Sequence, residues 1–314
     1  MSDSRARSYA AFRAAHPPRR AWVDGHRWEY IDAGAGDPPL LMLPGGFGIA
    51  ATSFRYILAL AGGRRVIALS YPPEIARIAG LCDGLATLLD TLRVARVWVL
   101  GGSASGFVAQ AFVRRHPGRV AGLILAQSGA PRPARARLSR ACAALLGALP
   151  MSLIFGMLRL SIAADLRGPS PERRFWRGHF AEVLAGQSRA ALVNRFRLAA
   201  DFDASYRLMP SDLDGWPGRV AIIESAGDGL VGPSERADLR AIYPGAEVYT
   251  LAGGHNDSVE RPEVQIAQIA CIVCVHKNHC VVSRPIASYC GKASFILYYA
   301  YTHICMKAVL NAPR

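Results

Sequence analysis

The chain has 314 residues, 51% of them hydrophobic, and a formal net charge of +14. That length and apolar content suit one α/β domain carrying an insertion and argue against two unrelated full domains. The positive charge is scattered through arginine-rich segments, without aromatic interleaving or a nucleic-acid motif, so nucleic acid is not an expected partner.

The N-terminal run Met1 to Arg7 is polar and leads into no apolar stretch. No cleaved secretory signal is therefore expected, and a cytoplasmic location is the default expectation. Residues Ala21 to Tyr30, broken by Asp24-Gly25, predict an opening hairpin. Strands at Leu40 to Leu43, Val66 to Leu69, Val97 to Leu100 and Gly122 to Ala126 then alternate with helices at Phe54 to Ala61, Glu74 to Leu92 and Ala104 to Arg115. Such alternation implies a mostly parallel sheet covered by helices on both faces. Cys82 and Cys142 are the only cysteines before residue 270, too few for a disulfide framework, and are expected as core thiols.

The stretch Val97 to Phe107 carries the most chemistry. Apolar residues run through Gly101-Gly102-Ser103-Ala104-Ser105 into an apolar helix, the pattern of a nucleophile elbow, in which a sharp strand-to-helix turn lifts a serine hydroxyl above the sheet. Ser103 is the candidate nucleophile. The last residue of the usual G-x-S-x-G pattern is Ser105 here, which points to strain in the turn.

Residues 132–215 interrupt the rhythm and are expected to form a helical cap after the sixth strand, between core segments 1–131 and 216–270. A cap there would roof Ser103, with Phe155, Met157, Phe175, Trp176 and Phe180 as candidate wall residues. Leu145 to Ala164 is apolar enough to raise contact with a membrane, but Pro150, Gly156 and Arg159 interrupt it, and a buried helix pair is the favoured reading.

The sheet resumes at Val220 to Glu224 and Glu247 to Leu251, followed by a helix from about Ser258 to Ala270. Asp228 stands in the loop after the first of these strands and His255 after the second, which completes the chain order Ser, Asp, His. In that chemistry His255 takes the Ser103 proton while Asp228 fixes the ring's tautomer and stabilises the imidazolium. The loop after Ala126 reads Gln127-Ser128-Gly129 and offers no competing acid. The oxyanion is expected to face the backbone N–H groups of Ala104 and of Gly46, in Pro44-Gly45-Gly46-Phe47-Gly48. Together these elements predict an α/β-hydrolase fold and a serine hydrolase of a small ester, thioester or related acyl compound, with no metal and no organic cofactor.

Residues 271–314 differ in composition. The chain uses no lysine before residue 271, whereas this tail holds Lys277, Lys292 and Lys307, and five of the seven cysteines. Cys271, Cys274, His276, His279 and Cys280 are soft ligands at close spacing, but they match no zinc module and leave little loop to wrap a tetrahedron. An appended segment is the expectation.

Beyond the triad, Ala11-Phe12-Arg13, Tyr30-Ile31-Asp32-Ala33-Gly34, Phe54 to Leu60, Arg65 to Pro72, Cys82-Asp83-Gly84-Leu85, Phe107-Val108-Ala109-Gln110 and Gly186-Gln187-Ser188 resemble the maspardin family of the α/β-hydrolase fold, over about residues 8 to 270. The resemblance implies a second reading, a non-catalytic adaptor with a protein partner, because animal maspardins look like adaptors of the cytosol and endosomal membranes that have lost the histidine. This chain keeps Gly253-Gly254-His255 at that place.

Overall fold

The structure, a computed structural model, describes residues 2–166 and 168–274. Helix α1 (Ser2–Ala15) precedes the hairpin of β1 (Arg19–Val23) and β2 (His26–Ala33). That hairpin turns through Asp24 at φ 50° and Gly25 at φ 76°, two successive left-handed residues whose twist matches that of the strands. Then come β3 (Leu40–Leu43), α2 (Phe54–Leu60), β4 (Val66–Ser70), α3 (Ile78–Thr91), β5 (Val97–Gly102), α4 (Ser105–Arg115) and β6 (Val120–Ala126). Four helices follow before the sheet resumes: α5 (Pro133–Ala148), α6 (Met151–Asp165), α7 (Pro171–Ala185) and α8 (Arg189–Ser205). The chain continues with β7 (Arg219–Ser225), α9 (Pro233–Ile242), β8 (Glu247–Leu251), α10 (Asp257–Glu260) and α11 (Glu263–Val273).

The eight strands lie in the order β1-β2-β4-β3-β5-β6-β7-β8. β2 pairs antiparallel with both β1 and β4, and from β4 to β8 every pairing is parallel. Parallel strands covered on both faces need apolar side chains at every position. β3 shows this, since Leu40 and Met42 pack on the face of α2, α7 and α11 while Leu41 and Leu43 pack on the face of α3 and α4.

Several boundaries differ from the sequence expectation. α1 departs from the sequence expectation; its exposed residues are alanine, serine and arginine, and it is held by Phe12, which is buried. α3 begins at Ile78 and not at Glu74, because Pro72-Pro73 open the segment and the Ile78 N–H is received by the Asp201 carboxylate of α8 at 2.9 Å. The final helix divides at Arg261-Pro262 into α10 and α11. α11 continues past residue 270, with Ile272 and Val273 buried. His276, His279 and Cys280 of the expected tail lie outside the described residues.

α8 is tied to its surroundings along its length. Besides the Asp201 cap, Asn194 donates to the Pro73 carbonyl at 2.8 Å, and fully buried Asp203 accepts from the Arg132 N–H at 2.9 Å and from the Arg135 guanidinium at 2.7 Å. No described helix is long and apolar enough to cross a membrane.

Candidate active site

β5 ends at Gly102, and Ser103 takes φ 53°, a left-handed conformation that costs a non-glycine residue about 1–3 kcal/mol. The strain is held by neighbours. The Ser103 N–H donates to the Ala126 carbonyl at 2.9 Å, and α4 leaves at once from Ser105. A Cβ on Gly101 would stand 2.7 Å from the Ala109 Cβ and 2.8 Å from the Gly106 Cα, and one on Gly106 would collide with the Ser128 hydroxyl. Ser105 also has a structural reason. Its buried hydroxyl accepts from the Gly102 N–H at 2.9 Å and donates to the Gly102 carbonyl at 2.8 Å, closing the elbow in place of the usual glycine.

Three residues far apart in sequence meet above this turn. The Ser103 Oγ lies 3.0 Å from His255 Nε2, and His255 Nδ1 lies 2.8 Å from Asp228 Oδ2. The other Asp228 oxygen accepts the N–H groups of Leu230 at 2.8 Å and Val231 at 3.0 Å. Burial alone would raise the Asp228 carboxyl, but the His255 hydrogen bond and charge together with those two amides outweigh it and hold the group below the usual carboxylate value. The carboxylate is thus ionised and fixed in orientation.

The loop carrying His255 is tethered at two points. The Gly227 N–H donates to the Gly253 carbonyl at 2.7 Å, and the Gln127 amide Nε2 donates to the Gly254 carbonyl at 3.2 Å and to the Ser225 Oγ at 2.7 Å. Gln127 is itself left-handed at φ 49°. The signal for Gln127 in the sequence is its strand-exit position after Ala126, beside the loops that carry Asp228 and His255.

Gly46 and Ala104 both line the cavity above Ser103, and among the described residues neither backbone N–H donates to another group. The loop is closed by the Gly48 N–H on the Gly45 carbonyl at 2.8 Å, and the positive φ of Gly48 lets the Arg195 guanidinium lie against it. The cavity has a volume of about 230 Å³ and is mostly apolar. Trp176 and Phe180 form part of its wall as expected, but Phe155, Met157 and Phe175 do not. Helical spacing explains the difference within α7. Trp176 and Phe180 share one stripe, while Phe175 and His179, four residues apart, form the adjacent stripe against Tyr9 of α1. His179 is buried with neither ring nitrogen hydrogen-bonded among the described residues, and burial, followed by the Arg13 charge, lowers its pKa to about 4.

Among solved structures, a hydrolase from Pseudomonas aeruginosa PA01 superposes with a TM-score of 0.66 at 24% identity, covering 81% of this chain and 97% of that one. An enol-lactonase from Burkholderia xenovorans LB400 gives 0.65 at 18% identity, covering 80% and 98%. A thermophilic esterase from Thermogutta terrifontis gives 0.64 at 19% identity, covering 80% and 96%. These likenesses establish the fold. Human maspardin is 41% identical over 129 residues, which is 38% of this chain and 41% of the human protein. Over that stretch the chain is similar to maspardin, and its fold is that of the α/β hydrolases. Maspardin from Danio rerio is 38% identical over 128 residues, covering 38% of this chain and 41% of that protein. The match thus spans about two fifths of the length of these relatives, less than the resemblance over residues 8 to 270 implied. No family model matches the chain.

Proposed function

We propose that the protein is a serine hydrolase that cleaves a small ester, thioester or related acyl compound. The observation that carries this reading is the unbroken relay of Ser103 Oγ, His255 and Asp228, with spacings of 3.0 and 2.8 Å, on a left-handed Ser103. Ser103 gives its proton to His255 Nε2 as its oxygen adds to the acyl carbon. Negative charge then develops on the former carbonyl oxygen, where the N–H groups of Ala104 and Gly46 and the N-terminus of α4 receive it. Collapse breaks the bond to the leaving group, which takes the proton from His255. Water, deprotonated by the same imidazole, then releases the acid and restores Ser103. Every step moves protons and acyl groups only, which suits a site built from these three side chains.

Helices α5 to α8 act in this reading as the cap over the cavity, with residues 1–131 and 216–270 as the core. The maspardin-like stretch favours a second reading, an adaptor that binds a protein partner and retains these residues without turnover. A fluorophosphonate probe separates the two. Labelling abolished by both Ser103→Ala and His255→Ala, with p-nitrophenyl ester hydrolysis lost in the same variants, supports the hydrolase. A folded protein that neither labels nor turns over supports the adaptor.

A further inference from the structure

Tyr71 follows β4 directly and stands in the wall of the cavity that contains Ser103 and His255. Its N–H donates to the Gly48 carbonyl at 3.0 Å, which docks it on the loop bearing Gly46. The residue is only 6% exposed, yet its hydroxyl has no hydrogen-bond partner among the described residues. Leaving a buried hydroxyl in that state is costly, so a cavity that retains one has a use for it. Burial, only partly offset by the Arg195 charge, pushes the phenol pKa up, so the group is a donor throughout the ordinary pH range.

The surroundings of the ring point the same way. The Arg195 guanidinium lies over it, 5.2 Å from the ring centroid, and reaches the Tyr71 carbonyl at 3.4 Å. A guanidinium can only donate hydrogen bonds, so it cannot serve as acceptor for the phenol beside it. Tyr71 and Arg195 are thus two donor-bearing side chains set side by side in the wall of a mostly apolar cavity. Their chemical complement is an oxygen with lone pairs.

We infer that Tyr71, with Arg195 across its ring, forms a subsite for a carbonyl or carboxylate oxygen carried on the substrate's acyl chain, several bonds from the scissile carbonyl. The inference rests on the hydrolase reading for what the cavity holds. The distance follows from the sheet. β3 separates β4 from β5, so the ends bearing Tyr71 and Ser103 are roughly two strand spacings, about 10 Å, apart. A plain alkanoyl chain would leave the phenol unmet, whereas an oxo-acyl or dicarboxylic half-ester chain of similar length would meet it.

The test compares p-nitrophenyl hexanoate with p-nitrophenyl 5-oxohexanoate and the mono-p-nitrophenyl ester of glutaric acid. The wild type should favour one or both oxygen-bearing esters by about tenfold or more in kcat/KM, the neutral and anionic arms showing which oxygen is preferred. Tyr71→Phe should bring that ratio close to one. Equal use of all three esters by the wild type, or a ratio that survives Tyr71→Phe, overturns the subsite. Binding of the same esters to Ser103→Ala by calorimetry reads the preference without turnover. If no ester is hydrolysed yet the oxygen-bearing ones bind tenfold more tightly and lose this in Ser103→Ala/Tyr71→Phe, the subsite stands and the hydrolase reading falls. Equal binding of all three refutes the subsite by itself.

Discussion

Replacing Asp228 by asparagine should disable the site through a single proton. One carboxylate oxygen of Asp228 is occupied by two backbone donors, Leu230 at 2.8 Å and Val231 at 3.0 Å, and the other faces His255 Nδ1 at 2.8 Å. An asparagine must place its carbonyl oxygen on the two amides, since its NH₂ cannot accept from them. The NH₂ then faces Nδ1, which has to become the acceptor, and the ring's proton moves to Nε2, where it meets the Ser103 hydroxyl. His255 in that tautomer cannot take the serine proton. The expected loss is about 10⁴-fold in kcat, or about 5.5 kcal/mol of barrier at 1.36 kcal/mol per decade. Stopped assays on a p-nitrophenyl ester, with Ser103→Ala as background, measure it, and circular dichroism checks the fold. A variant that keeps more than a tenth of wild-type kcat would refute the argument, because no arrangement of the amide satisfies all three partners and leaves Nε2 free to accept.

Three further outcomes are expected. Ser105→Ala removes the acceptor of the Gly102 N–H and should lower stability by about 1–3 kcal/mol in urea denaturation, while a neutral result would mean that the elbow closes without the hydroxyl. Gln127→Leu releases the Gly254 carbonyl and should lower kcat about tenfold through misplacement of His255, with KM little changed; a matching rise in KM would instead place Gln127 against substrate. His179 has a folded-state pKa of about 4, below its unfolded value near 6.5, so the stability it contributes is complete above pH 6.5 and is lost as pH falls toward 4. Between pH 7 and pH 5 that loss is about 2 kcal/mol, and His179→Leu should lack this part of the pH dependence; an unchanged dependence would refute it.

The parts of the fold legible in the sequence are those governed by local rules. Continuous apolar runs mark β3 to β6, Asp24-Gly25 marks the hairpin, and the small residues around Ser103 mark the elbow. Asp228 and His255 were readable because chain order and loop position restrict them even without distances. What escaped depends on contacts between distant segments. α1 lacks a strong apolar face and is fixed by Phe12 and by Tyr9 against Phe54, Phe175 and His179. The start of α3 is set by Asp201, over a hundred positions later. Ser105 looked like a source of strain because its hydroxyl's partners, Gly102 and the nearby Leu43 carbonyl at 3.4 Å, emerge only when the turn is closed. The stripe of α7 that faces the cavity could not be chosen between Phe175 and Trp176 without knowing where α1 sits.

The ties along α8 divide the roof into parts with different freedom. Asn194 and Asp201 engage a backbone carbonyl and a backbone N–H of the core at 2.8 and 2.9 Å, which ties this helix to the sheet's own connections. α7 is held differently, through charged side chains: Glu172 to Arg5 and Arg55, Arg173 to Glu260, and Glu182 to Arg13. Ion pairs of this kind weaken with ionic strength, whereas backbone anchors hardly respond to it. The two helices that line the cavity from above therefore answer differently to ionic strength. Added salt should loosen the charged contacts of α7 before it disturbs the anchors of α8.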